Sequence, residues 1–322
     1  MKLPFFSRSA KRVVGIDCGG HQGASLACLA RPQPHELTLE SCASMSWDGE
    51  DPGVKLAGLV REQASPKTPA VGLMPLQGYS LLQVEAPEVA REEMPQAVRW
   101  LVKDLIDYPL EEAVIDVFPA PQSSSHGRMI YAVSAHFEAV NSQVKLLKQS
   151  RLKLQALDIP ELALRNVASW TPEAQAGVGL LYLGRDSGLL VIVHEQTLYV
   201  ARSIQHGTAA MREAVPEEAG DGLLDRDGDI QLLLDRVVLD VQRTLDYYES
   251  TFGKTSIGTV LLAPMQDSVP GLMEHLQSNL GTNVKPLDLN ALFKGPEVEP
   301  LEQARSFLAL GAALREGGGN AA

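Results

Sequence analysis

The chain has few cysteines, and nothing in their spacing ties them to a metal or to one another. Cys18, Cys28 and Cys42 are its three cysteines, no pair has the CxxC spacing, and no histidine cluster accompanies them. This pattern predicts neither a disulfide framework nor a zinc site. We expect small buried side chains in a protein of a reducing compartment.

Long apolar runs are missing as well. None reaches the roughly 18 residues that a membrane span needs. Residues 1–12 mix basic side chains with Leu3, Phe5 and Phe6, but they lack the apolar core and the cleavage site of a signal peptide. We expect a frayed tail over residues 1–11. The alternative is a weak contact of this basic and aromatic segment with the inner membrane surface.

Positive charge is scarce too. The 28 basic and 40 acidic side chains give a net charge of −12, which disfavours general nucleic-acid binding because an acidic surface repels phosphate backbones. Hydrophobic residues at 45% and charged residues at 21% are typical of globular proteins, and 322 residues suggest about two domains. No Ser-His-Asp, HExxH or P-loop pattern indicates an enzyme of those classes.

The sequence does contain two strand-rich segments of the same plan. An apolar run ends at Asp17, glycines permit a tight turn, and two further strands follow. A second meander of three strands begins at Gly179, and its Tyr182 takes the place that Asp17 has in the first. We therefore predict two related halves.

Periodicity and turn residues predict the other elements. Strands are expected at 13–17, 24–30, 37–41, 70–73, 114–118, 129–134, 154–157, 179–183, 189–193, 198–204, 260–263 and 284–287. Helices are expected at 52–64, 94–105, 137–149, 160–167, 230–252, 270–280 and 303–315. The stripe that the helix at 94–105 turns to the core consists of Met94, Ala97, Val98, Leu101 and Leu105.

An acidic, glycine-containing segment at 216–229 precedes the longest helix. Three of its aspartates, ending with Asp229, alternate as in a calcium loop, but Ile230 and Arg236 stand where such a loop has glycine and glutamate. We predict a solvated loop without calcium, and we expect Asp229 to cap the helix.

Three stretches carry a resemblance to a known family: VVGIDCGG at 13–20, AVRW at 97–100 with YPLEE at 108–112, and QRTLDYYES at 242–250. They resemble the PilM family of type IV pilus assembly proteins, most closely its mannose-sensitive haemagglutinin (MSHA) branch, the MshI proteins. The resemblance extends from about Val13 to Arg315.

The resemblance implies an α/β protein of the actin-like ATPase (ribonuclease H-like) fold, duplicated into two lobes with a central cleft for nucleotide. Lobe I would span 12–168 with an inserted subdomain at about 78–155, and lobe II would span 169–302, followed by a closing helix at 303–316 and a disordered tail at 317–322. It further implies a cytoplasmic protein, peripheral to the inner membrane, that docks on the cytoplasmic segment of a PilN-like membrane protein in the pilus assembly platform. A homo-oligomer is compatible with this plan.

Nucleotide binding in this fold has three requirements: an acid and a glycine-containing turn after the first strand, a second acid in the second meander, and a glycine-rich loop. The first requirement is partly met. Asp17 supplies the acid at the end of the first strand, and Gly19, Gly20 and Gly23 let a backbone turn approach phosphate. However, Ala24 stands at the position of the family's lysine, so one cation that could face phosphate is missing.

The second and third requirements are not met. Tyr182 replaces the family's second acid, and a phenol of pKa about 10 cannot replace a carboxylate as a ligand. Asp186 in the following turn is a displaced substitute or simply a turn residue. The family's glycine-rich loop reads APMQDS at 263–268, so Pro264 and Met265 would occupy space that the nucleotide needs.

We therefore expect an actin-like scaffold that has lost ATP hydrolysis and tight ATP binding, with no catalytic residue, no bound metal and no resident cofactor. If any nucleotide binds, the resemblance implies that it is ATP with magnesium. The vestigial nucleotide-site candidates are Asp17, Gly19, Gly20, Gly184, Asp186 and Ser187. The alternative is an active ATPase that uses Asp17 and Asp186. A metabolite or sugar kinase is disfavoured because no catalytic base can be placed.

A candidate surface for the partner peptide lies between the middle stretches of the resemblance. An aromatic side chain with acidic neighbours can hold a basic and hydrophobic peptide. The candidate residues are Trp100, Leu101, Asp104, Tyr108 and Pro109. The alternative is that Trp100 and Leu101 belong to the core of the helix.

Overall fold

The computed structural model describes residues 12–19, 23–33, 36–90, 93–122, 127–215 and 226–315. By contacts the chain divides into two compact units: residues up to 79, 136–167 and from 289 onward form the first, and residues 80–135 and 168–288 form the second. The lobes predicted from the sequence follow the duplication of strands rather than contacts, so their boundaries stay predictions.

Strands and helices alternate along the described residues. The strands are β1 (Arg12–Asp17), β2 (Gly23–Gln33), β3 (Glu36–Ser46), β4 (Pro69–Leu73), β5 (Ser80–Glu85), β6 (Ala113–Pro119), β7 (Met129–His136), β8 (Lys153–Asp158), β9 (Val178–Leu183), β10 (Gly188–His194), β11 (Thr197–Ile204), β12 (Thr259–Leu262) and β13 (Asn283–Pro286). The α-helices are α1 (Pro52–Gln63), α2 (Met94–Val102), α3 (Phe137–Gln149), α4 (Pro160–Ala168), α5 (Thr208–Glu213), α6 (Arg226–Phe252), α7 (Leu272–Asn279), α8 (Leu289–Leu292) and α9 (Pro300–Ala313).

The first unit is built on a five-stranded sheet of order β3-β2-β1-β4-β8. Side chains alternate across a strand, so Val14 and Ile16 of β1 join the apolar cluster formed with α1 and α3, while Gly15 faces α9 on the other side. A Cβ atom on Gly15 would lie 1.8 Å from the carbonyl oxygen of Ala309, so α9 can pack this closely only against glycine.

The second unit contains a sheet of the same plan, β11-β10-β9-β12-β13. In both sheets the first three strands are antiparallel and the last pairings are parallel. Val14 pairs with Ala70 in the first sheet, and Gly179 pairs with Val260 in the second. Val14 and Gly179 therefore occupy the same place in the two sheets, and the predicted duplication is confirmed.

A smaller sheet of order β5-β7-β6 also belongs to the second unit, and α2 covers one of its faces. Val98 and Val102 of α2 are buried against Ile130 and Ala132 of β7. Across the unit, the hydroxyl of Tyr131 donates a hydrogen bond to the carbonyl oxygen of Tyr199 in β11 (2.9 Å). The small sheet is thus attached to the larger one through an aromatic side chain.

Two helix predictions are wrong in their details. α6 begins at Arg226, so Asp229 lies inside the helix and cannot cap it, because a cap residue has non-helical backbone. α2 ends at Val102 and a 3₁₀ turn follows at Lys103–Leu105. The pair Val98 and Val102 sets the buried face, which leaves Leu101 46% and Leu105 54% exposed instead of in the core.

Three short elements are absent from the sequence prediction: β5, α5 and α8. β5 is an edge strand whose mixed polar and apolar residues give no clear alternation, and the two helices have only six and four residues. The predicted tails at 1–11 and 317–322 and residues 216–225 of the predicted loop at 216–229 lie outside the described residues, whereas residues 226–229 belong to α6 and not to a loop.

The cysteines are free thiols, as expected. Cys18 and Cys28 are buried, whereas Cys42 is only half-buried. Burial raises the pKa of Cys42 to about 12 and that of Cys18 still further, so both thiols are protonated and unreactive near neutral pH.

Candidate functional site

The first turn of the candidate nucleotide site lies in the first unit, between β1 and β2. Asp17 ends β1, and its carboxylate oxygen Oδ1 accepts a hydrogen bond from the Gly19 N–H (2.8 Å). Burial raises the pKa of Asp17, and the Gly19 N–H opposes the shift. A Cβ atom on Gly19 would lie 3.0 Å from this oxygen and 3.3 Å from the Cα of Pro75, so glycine keeps the turn compact.

The remaining residues of this turn add little. Gly20, His21 and Gln22 lie outside the described residues. Ala24, which the resemblance aligns with the family's lysine, is 5% exposed and packs in the apolar cluster of the first unit. The position therefore supplies packing and no positive charge.

The second turn lies in the second unit, between β9 and β10. Gly184 closes it by donating its N–H to the carbonyl oxygen of Ser187 (2.9 Å). Tyr182 stands beside it, since a Cβ atom on Gly184 would be 3.3 Å from the tyrosine ring. Tyr182, which the resemblance aligns with the family's second acid, thus places an aromatic ring beside this turn. Asp186 is exposed at the tip of the turn.

Backbone hydrogen bonds fix this second turn to the start of α5. The carbonyl oxygens of Gly184, Arg185 and Asp186 accept from the N–H groups of Thr208, Ala209 and Gly207 at 2.9, 2.9 and 3.1 Å. A Cβ atom on Gly207 would lie 2.2 Å from the carbonyl oxygen of Arg185, so this close approach also requires glycine. The turn is held rigidly, but by contacts within its own unit.

The loop between β12 and α7 replaces the family's glycine-rich segment. Met265 packs against the apolar core of the second unit, and Val269 is buried there. Asp267 accepts from Arg212 (2.8 Å) and from the hydroxyl of Thr208 (3.4 Å), which joins the loop to α5. The loop is therefore held by its own side chains.

The expectation that Pro264 and Met265 occupy space needed by a nucleotide stays a prediction, although these side chains do not fill all the space beside the loop. Met265 is unbranched and flexible, so it can fold onto the core. A pocket of about 390 Å³ is left next to it, at the carboxyl ends of β12 and β13. Its lining includes Pro264, Met265, Ser268, Met273, Glu274 and Leu287. The size is at the lower end of small-molecule sites.

Within the described residues, no three His, Cys, Asp or Glu side chains come together as a metal site. The candidates Asp17 and Gly19 meet in one turn, and Gly184, Asp186 and Ser187 meet in another, each within its own unit. What the described turns offer is backbone N–H groups, one half-buried carboxylate and one exposed one.

The candidate partner surface is on α2 and the chain that follows it. Trp100 is 65% exposed, which excludes the alternative that it and Leu101 form helix core. Asp104 and Pro109 are exposed as well. Tyr108 is only half-buried, and its hydroxyl lies 2.9 Å from that of Ser134 in β7, so it anchors the turn.

Two cationic side chains shape this surface. Arg99 donates to the carbonyl oxygens of Leu110 (2.6 Å) and Ala113 (3.1 Å) and so fixes the turn after α2. The ammonium of Lys103 lies 5.8 Å from the centre of the Trp100 ring, a cation–π contact. The sequence analysis did not include Leu105 in the candidate partner surface, because its helical spacing indicated a core residue.

Two sheets of repeated order, each an antiparallel meander extended by two parallel strands, define the class: the chain has the actin-like ATPase fold with two lobes. Its residues 67–316 match the family described as type IV pilus assembly protein PilM, and the chain belongs to that family. No curated protein matches the sequence.

Solved structures support the fold. A chain of a PilM–PilN type IV pilus biogenesis complex is similar at a TM-score of 0.71, with 21% identity over 94% of this chain and 97% of that chain. The cytoplasmic domain of EpsL, an inner membrane component of the type II secretion system of Vibrio cholerae, is similar at 0.50, with 9% identity over 95% and 96%. Within the described residues, no helix is long and apolar enough to cross a membrane.

Proposed function

We propose that this protein is a cytoplasmic scaffold of an MSHA-type (MshI-like) pilus assembly platform. It docks on the cytoplasmic segment of a PilN-like inner-membrane protein, and thereby becomes peripheral to the inner membrane. Membership of the PilM family supports the pilus role, and similarity to PilM in a PilM–PilN complex supports the kind of partner. The MSHA assignment is supported by the sequence stretches at 97–112 and 242–250.

One observation carries the docking role: exposed apolar side chains are concentrated around α2. Of the twelve large hydrophobic residues that are most exposed in the described chain, five lie between 89 and 114. They are Val89, Trp100, Leu101, Leu105 and Val114. Exposed apolar residues grouped on one helix and its flanks are typical of protein interaction sites. We call Trp100, Leu101, Asp104, Leu105 and Pro109 the α2 face.

The α2 face has the properties of an energetic centre for binding. Tryptophan is strongly enriched among the residues whose truncation costs an interface about 2 kcal/mol or more. The Trp100 ring has a cation–π contact with Lys103, and Arg99 fixes the turn that follows α2, so less order is lost when a partner binds here.

Co-purification with the cytoplasmic segment of the PilN-like protein tests the proposal. We expect the wild-type chain to retain the segment, and Trp100→Ala with Leu101→Ala to weaken binding about 30-fold. Leu239→Ala, which removes a side chain of similar exposure (42%) from α6, is the matched control and leaves binding unchanged. Retention of full affinity by the double variant, with an unchanged circular dichroism spectrum, contradicts the assigned surface.

We further propose that the nucleotide site is degenerate. Tyr182 in place of an acid, Ala24 in place of a lysine and the loop at 263–268 all support this. Calorimetry with ATP and magnesium should show no binding in the micromolar range. Micromolar binding would defeat the proposal.

The second candidate is an active ATPase of the same machine, and two observations favour it. Asp17 keeps the position and the compact turn that the fold uses beside phosphate. A pocket of about 390 Å³ adjoins the loop at 263–268. Phosphate release that disappears in Asp17→Ala distinguishes this candidate from the scaffold.

A further inference from the structure

We propose that the segment docking on the α2 face carries a basic side chain about three residues from an apolar one, and that this basic side chain enters an acidic pocket at the start of α2. The inference rests on the proposed function, because it specifies the chemistry of the same partner.

The acidic pocket lies beside the end of β5 and the first residue before α2. Its volume is about 620 Å³. Its lining includes three carboxylates, Glu85, Glu88 and Glu93, one guanidinium, Arg128, and the exposed apolar residue Val89. The N–H of Ala86 donates to the carbonyl oxygen of Arg128 (2.7 Å), so the chain on both sides of the pocket is connected at its base.

The charge of this pocket is not balanced by the described residues that line it. Among the residues that the structure describes, none of the three glutamates forms an ion pair, whereas Glu36, Glu50 and Glu173 elsewhere each do. Three exposed carboxylates and one guanidinium give the described lining a net negative charge. A cationic side chain entering the pocket would therefore gain Coulomb energy with more than one partner.

The acidic pocket and the α2 face share one side of the helix. Glu93 and Trp100 are separated by about two helical turns, so their side chains point the same way about 10 Å apart. An extended peptide covers this length with about three residues. A segment lying along α2 would thus place a basic side chain at Glu93 when an apolar one contacts Trp100.

The other end of the α2 face, near Lys103 and Asp104, is less suited to bind a basic side chain of the partner. The Trp100 ring already has the Lys103 ammonium beside it, so a second cation there would meet like charge. Asp104 is a single exposed carboxylate and offers little by itself. The apolar contact and the charge contact therefore fall at two separate positions, which gives the bound segment a direction.

Fluorescence anisotropy with a synthetic peptide of the cytoplasmic segment of the PilN-like protein tests the inference. We expect the triple variant Glu85→Gln, Glu88→Gln and Glu93→Gln to weaken binding about tenfold at low salt and less at high salt. The matched control changes three exposed glutamates outside this region, Glu62, Glu138 and Glu297, to glutamine and so alters net charge equally without effect.

A second peptide, with its basic residues changed to glutamine, completes a double-mutant cycle. We expect it to bind wild type about tenfold more weakly and to be insensitive to the triple variant. If the triple variant binds both peptides as wild type does, while Trp100→Ala with Leu101→Ala still weakens binding about 30-fold, the inference is overturned and the docking role stands. If the unmodified peptide fails to bind wild type at all, the docking role fails with it.

Discussion

The two meanders of this protein have the same fold and different chemistry. Their strand order and parallel register are the same, yet Asp17 in the first corresponds to Tyr182 in the second, and Gly15 corresponds to Leu180. The fold is fixed by hydrogen-bonded ladders and by inward side chains. Asp17 and Tyr182 join these ladders through their backbone, pairing with Ser25 and Leu189, so their side chains can differ without altering the sheet.

The largest effect that we predict is a loss of stability, and it distinguishes β1 of the first sheet from the matching strand β9 of the second. Gly15→Ala should lower the free energy of unfolding by about 3 kcal/mol, because its Cβ atom would overlap the backbone of α9. Gly179→Ala at the matching strand is the control: its nearest neighbour is a methyl group of Val260 at 3.1 Å, which can move. Urea unfolding of both variants measures the difference, and equal losses would contradict a special role of α9.

A second prediction concerns the missing acid. Tyr182→Asp should raise the affinity for ATP with magnesium about tenfold, since a charge-assisted contact contributes about 1.5 kcal/mol. Tyr182→Asn removes the ring without adding charge and should not do so. The shift of Tm at millimolar ATP and magnesium reports the affinity. If both variants gain equally, the ring obstructs the site and the charge is irrelevant.

A third prediction uses the raised pKa of Asp17. The folded state holds this proton more tightly than the unfolded state, so stability falls as pH rises from about 4 through the raised pKa. Asp17→Asn keeps the acceptor for Gly19 without the charge. It should be more stable than wild type near pH 7, with the advantage vanishing toward pH 4. Asp186→Asn, at the exposed second turn, should change nothing across this range in urea unfolding experiments.

The smallest predicted effect is at the loop that replaces the glycine-rich segment. Arg212→Ala should cost about 0.5 kcal/mol of stability, because the Arg212 side chain is 57% exposed and water screens its ion pair with Asp267. The loss should shrink at high salt. A loss above about 2 kcal/mol would mean that α5 and this loop depend on each other far more than an exposed ion pair can explain.

The repeated sheets were predictable from sequence because each signal was local and occurred twice. The apolar run before Asp17 and the one before Tyr182 have strand length and glycine-containing turns, and their common order indicated the duplication. The residue types at the turns can be identified without coordinates for the same reason, but the loss of nucleotide binding that we infer from them stays a prediction.

The α2 face shows where sequence reasoning ended. Helical spacing groups Leu101 and Leu105 with Val98, but the sheet beneath decides which side of the helix is buried, and its central strand β7 comes well after α2 in the chain. Likewise, the need for Gly15 arises from α9, which lies at the other end of the sequence. Such contacts leave no local pattern.

The packing of α9 on β1 also sets an order of events during synthesis. Val13 to Ile16 lie in the middle of the first sheet, and the surface at Gly15 is completed by residues 300–313. The Gly15 face of β1 therefore stays uncovered until residues 300–313 have been synthesised and have packed onto it.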